Sequence, residues 1–139
     1  MLKKRTFFWL VFPLCLLIAA GWGYYMYNKP HQSAGDESIL LTIDADSLYH
    51  QYQADEKGTD QRLLGKVIEV TGTLSEIQHS GASEIWILST QGGTGAINCQ
   101  LFSGEKPPPH SPKPGDKVRI KGRCTGFLMD VMLADCVPQ

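Results

Sequence analysis

The residues of this 139-residue chain that can do chemistry are four cysteines, four histidines, an alternating basic run and a few aromatic rings. Lys117, Arg119, Lys121 and Arg123 recur at every second position. On a strand this spacing puts four cations on one face and Val118, Ile120, Gly122 and Cys124 on the other. A cationic stripe of this kind can follow the backbone of a single-stranded nucleic acid, with an aromatic such as Trp86 to stack a base. The simpler alternative is the solvated side of an amphipathic strand. Cys99, Cys124 and Cys136 contain no C-x-x-C pair, so their spacing does not suit zinc, and no metal is expected. An oxidising compartment would pair two of them. Cys124 and Cys136, which end consecutive strands, are the candidate disulfide. A turn centred near Met129 sets Cys136 opposite Gly122, so the pair needs a bulge around Gly126 to meet. Cys99 with Cys136, and three buried thiols, stay open as alternatives. His50, His79 and His110 are scattered over separate segments, without a zinc-protease or serine-hydrolase signature. Gly92, Gly93 and Gly95 match neither the dinucleotide nor the P-loop spacing, and no helix follows them. The expectation is therefore a protein that is not an enzyme and has no cofactor.

The elements that must position these residues are mainly strands. Lys66 to Ile77 is a β-branched run interrupted by Gly72, the pattern of a long strand that bends sharply. Glu84 to Thr90 reads as a second strand and Ala96 to Phe102 as a third. Pro107, Pro108, Pro109, Pro112 and Pro114 make the next connection an extended, proline-stiffened loop. The basic strand follows, then a reversal over Gly126 to Asp130 and a last apolar strand through Val131 to Ala134. Ile68, Val70, Leu74, Ile87, Ile97, Leu101, Val118, Ile120 and Leu133 form the expected core. Before the sheet, Asp44 or Asp46 can cap a helix whose Leu48, Tyr49 and Tyr52 share one side, with a break at Gly58. The two tyrosines read as packing against the sheet.

At the start, Lys3, Lys4 and Arg5 precede an uncharged run from Phe7 to Tyr27, enough helix to cross a hydrocarbon layer of roughly 30 Å. The basic flank and the ring cluster Trp22, Tyr24, Tyr25 and Tyr27 orient the run as an anchor with the rest of the chain outside the cytoplasm. A cleaved signal peptide is the alternative, since Ala19, Ala20 and Gly21 are small. Cys15 reads as membrane packing. The organisation is then residues 1–27 as basic flank and anchor, 28–43 as linker, and 44–139 as one domain. Without the three basic residues of the flank, ten Lys and Arg face fourteen Asp and Glu, a net charge of −4. That composition excludes a polyelectrolyte whose bulk charge binds nucleic acid.

A long bent strand, a hairpin, a long crossing and a second hairpin describe a five-stranded Greek-key OB barrel, here with an N-terminal helix and preceded by a single transmembrane helix. Gly65 to Ile77, the strand around Cys99, and Pro114 to Cys136 resemble the tRNA_anti-like family, small bacterial OB-fold proteins that often follow an N-terminal anchor. The resemblance spans about residues 27 to 137 and implies the fold and a place at the bacterial inner membrane, with the domain in the periplasm. It implies no reaction. The expected function is a membrane-anchored OB binding or scaffold module for a protein or small molecule. Single-stranded or tRNA-like nucleic acid is the alternative ligand. A haem carrier of similar architecture is a further alternative, but it attaches haem through a histidine beyond the barrel, where this sequence has only Val137, Pro138 and Gln139.

Overall fold

The computed structural model describes residues 4–28, 33–92, 95–104 and 110–139. The barrel closes around β2 (Val67–Ser80), which pairs with β5 (Lys117–Leu128) through Thr73 and with β3 (Ser83–Ser89) from Thr73 onward. Gly72 lies where the strand changes partner, and its register slips between Leu74 and Glu76. A Cβ on Gly72 would stand 2.9 Å from that of Ala45, so only glycine lets the helix approach this bend. β4 (Ala96–Leu101) follows β3 antiparallel, and β6 (Asp130–Pro138) lies between β4, to which it is parallel, and β5, to which it is antiparallel. The closed ring β2-β3-β4-β6-β5 is the five-stranded OB barrel that the strand pattern implies.

Several boundaries differ from the expectations above. A sixth, three-residue strand, β1 (Thr42–Asp44), pairs parallel to β2 outside the ring. Asp44 then caps α2 (Ala45–Ala54) by accepting from the Ser47 N–H. Leu48, Tyr49 and Tyr52 are buried, as their spacing predicts. The helix break falls at Asp55 and not at Gly58. Asp55 accepts from the Gly58 N–H, caps α3 (Glu56–Leu63) and leaves Gly58 inside that helix. β5 continues past Cys124 to Leu128, and the reversal rests on Met129 alone, at φ 67°. Of the expected linker, Ser33 to Glu37 lies against the barrel, with Ala34 fully buried in a short 3-10 turn, and residues 29–32 fall outside the described residues.

Ile68, Val70, Leu74, Ile97, Ile120 and Leu133 are buried core residues, and Leu101 and Val118 pack partly buried against them. Ile87 is a correction. Trp86 and Leu88 take the inner face of β3, so alternation turns Ile87 outward to a half-buried position. The large indole wins the interior because it is the bulkiest fully enclosed side chain available to this barrel. α2 closes over the strands through Tyr49 and Tyr52, whose rings lie 5.8 and 5.4 Å from that of Phe127.

The N-terminal segment is a separate unit, Met1–His31, beside Gln32–Gln139. It forms one helix, α1 (Lys4–Tyr27), continuous through Pro13. Among the described residues no helix is both long and apolar enough to cross a membrane. The helix is thus observed and its membrane crossing is not.

Candidate functional site

The alternating basic residues occupy the outer face of β5, as expected, but the fold divides them into two pairs. Lys121 is 7% exposed, and its Nζ donates to the Gly35 carbonyl at 2.8 Å. Arg123 donates through Nη1 to the Gly65 carbonyl at 3.0 Å and pairs through Nη2 with Glu37. The guanidinium holds the Glu37 carboxyl below its ordinary range, and the same contact raises Arg123. Residues 33–37 therefore act as a strap that consumes half of the stripe. This corrects the expectation of four cations on one solvated or ligand-binding face.

Lys117 and Arg119 keep their charges facing outward. Lys117 is exposed and makes no hydrogen bond or ion pair among the described residues. Arg119, with 60% of its side chain exposed, makes a loose contact, 3.9 Å, to Glu69. Beside them lies a cavity of about 360 Å³. Its walls are Thr71 of β2, Trp86 of β3, Lys117, Val118 and Arg119 of β5, Pro138 and Gln139 at the end of β6, and His110 and Pro112 of the β4–β5 loop. β-pairing builds the wall, because Thr71 stands directly opposite Arg119 and the Gln139 N–H donates to the Arg119 carbonyl at 2.9 Å. Among the described residues no carboxylate side chain lines the cavity. Trp86, expected as an exposed stacking ring, is 2% exposed and joins the site as a wall, its Nε1 donating to Glu84 at 3.3 Å. Of the three histidines beyond the N-terminal unit, only His110 reaches the cavity, while His79 pairs with Glu84 at 3.5 Å and His50 lies on the exposed side of α2. Thr71 and Gln139 carry no sequence signal for a site. Their contribution arises from strand register.

The cysteines also differ from expectation. Cys15, Cys99, Cys124 and Cys136 are all free thiols, so the Cys124–Cys136 disulfide is not formed. A bulge does occur, between Cys124 and Gly126, yet it leaves Cys124 opposite Leu133. A second irregularity, at Asp135 with φ 52°, turns Cys136 inward beneath Gly122, where a Cβ would approach its Sγ to 2.6 Å. There Cys136 neighbours Cys99, and burial raises its thiol well above the usual range. Cys124 instead meets the Tyr52 hydroxyl at 3.0 Å, and burial pushes both groups up. These are protonated packing residues and poor nucleophiles. Among the described residues no group of three His, Cys, Asp or Glu side chains is placed to hold a metal. Gly93 of the glycine loop and Pro107 to Pro109 lie outside the described residues.

The tRNA_anti-like family profile matches residues 1–137. No curated protein matches the chain. Among solved structures, a "putative nucleic acid-binding lipoprotein" from Klebsiella pneumoniae is similar at 14% identity, over 70% of this chain and 90% of that one, with a TM-score of 0.61. OBody AM1L10, solved bound to hen egg-white lysozyme, is similar at 25% identity, over 56% of this chain and 77% of that one, with a TM-score of 0.42.

Proposed function

We propose, for a chain that belongs to the tRNA_anti-like family, that the OB barrel is a non-enzymatic binding module tethered at the outer face of a bacterial inner membrane, with its ligand seated beside Lys117 and Arg119. The observation that carries this reading is the cavity itself, an open concavity where the two outward-facing cations of β5 meet a partly apolar wall. The placement of the reactive groups favours binding over catalysis. The Cys124 and Cys136 thiols are held protonated, and His50, His79 and His110 serve three different neighbourhoods, so among the described residues none of these histidines stands beside one of these thiols.

The tether rests on the uncharged run Phe7 to Tyr27, the basic flank before it, and the 24-residue length of α1, about 36 Å at 1.5 Å per residue. The Klebsiella neighbour's description as a lipoprotein favours a membrane-associated, extracytoplasmic setting. Protease added to intact spheroplasts is expected to digest the domain, and its protection would refute the orientation. For the seat, native mass spectrometry of the full chain released from its own membrane is expected to show a bound mass that Lys117→Glu with Arg119→Glu removes. An identical bound mass in the double variant would place the ligand elsewhere.

A second reading, nucleic acid as the ligand, is favoured by the name of the same neighbour. It requires a run of phosphate contacts, and here the strap holds two of the four stripe cations. Steeply salt-dependent retention of single-stranded DNA at physiological ionic strength would establish this reading over the first.

A further inference from the structure

We propose that the cavity beside Lys117 and Arg119 takes a small organic anion, one phosphate or carboxylate group on a compact apolar body; this rests on the assignment of that cavity as the ligand seat. Charge selects the acidic group. Lys117 and Arg119 stand two residues apart on one strand face, about 6 to 7 Å along the chain, a separation one tetrahedral or planar oxyanion can bridge. Among the described residues no lining side chain is acidic, and Glu69 stays at 3.9 Å from Arg119, a contact loose enough to be exchanged for a ligand. Thr71 and Gln139 add neutral hydrogen-bonding groups on the same wall.

The rest of the wall selects the body. Val118 and Pro138 present apolar surface beside the cations, with the almost wholly buried Trp86 lining the same wall, so a bare inorganic ion would leave that surface unused. A volume of about 360 Å³ suits a small molecule. A polymer is disfavoured by the same geometry, because the next two cations along β5 are engaged by Gly35 and Glu37 and the cationic track stops at Arg119.

The test uses the full chain in detergent micelles with labelled tryptophan, following the Trp86 indole N–H resonance during titration with phenyl phosphate, benzoate and phenol. The expected result is a saturable shift with phenyl phosphate, weakened about tenfold or more by Lys117→Ala with Arg119→Ala and unchanged by Lys113→Ala, an exposed lysine outside the cavity. A matching response to benzoate supports the whole class, and a response to phenyl phosphate alone narrows it to phosphate. If phenol shifts Trp86 as strongly as the anions, the cavity is a ligand seat but the anion assignment is wrong. If none of the three shifts Trp86, both the assignment and the seat fail. An equal loss in Lys113→Ala would reduce the effect to general charge screening and overturn the proposal.

Discussion

Lys121 and Arg123 are four and six residues beyond Lys117 on one strand, share its outer face and carry the same charge, yet the two ends of this stripe have opposite fates. At the Arg123 end the strap from Ser33 to Glu37 lies on the strand and satisfies both cations. At the Lys117 end no such segment arrives among the described residues, and the side chains border a cavity. A charge pattern defines a face, whereas the segment packed over that face decides whether its charges stabilise the fold or remain for a ligand. A partly enclosed cation bonded to a carbonyl contributes to folding. An exposed one contributes little.

The inner face of the same strand sets the scale. Ile120→Ala removes a fully buried side chain from between the two pairs, and a loss of about 2 to 5 kcal/mol is expected in urea unfolding. A loss under about 1 kcal/mol would mean that the strand faces are interchanged and the comparison void. Gly122→Ala forces a methyl against the Cys136 Sγ at 2.6 Å and should cost about 1 to 3 kcal/mol, with the second change Cys136→Ala recovering part of it. Failure of that recovery would separate Gly122 from Cys136.

On the outer face, Arg123→Ala should cost about 1 to 2 kcal/mol, discounted for its partial exposure, because it strands the Gly65 carbonyl and Glu37. The Glu37 contact also predicts a pH dependence. Its folded-state value lies below the ordinary 4.5, so its stabilisation is present above that pH and is lost as pH falls through the lower folded value. Wild-type and Glu37→Gln proteins should therefore converge in melting temperature in that acidic window. A gap that persists there would mean that Glu37 acts by packing rather than by charge. Lys117→Ala, the smallest effect, should change stability by no more than about 0.5 kcal/mol. A larger loss would show that the cavity end of the stripe is structural as well, and would erase the contrast.

Much of this architecture is written in local pattern. The β-branched run broken by Gly72, the alternation along β5 and the Leu48, Tyr49, Tyr52 spacing each report burial on one side of an element, and burial is repeated along the chain with the period of that element. The errors have equally local causes. Both parities of β3 are apolar, Ile85, Trp86, Ile87 and Leu88 in succession, so its inward face is not legible without knowing which residues fit the barrel. The three-residue β1 is too short to show a period. Asp55 shows the same limit, since its cap depends on the backbone turning there, not on the nearby glycine.

Local sequence carries the five barrel strands, their order along the chain and the cationic face of β5, because each follows from neighbours a few residues apart and from a barrel that such strands can close. What those charges do is set by contacts between distant segments. Glu37 meets Arg123 across 86 residues, Thr71 meets Arg119 through strand register, and Cys136 is turned from Cys124 toward Cys99 by one backbone irregularity at Asp135. These contacts have no local signature. They arise from closure of the ring, which brings distant segments to one surface and selects among partners that the chain lists only by type.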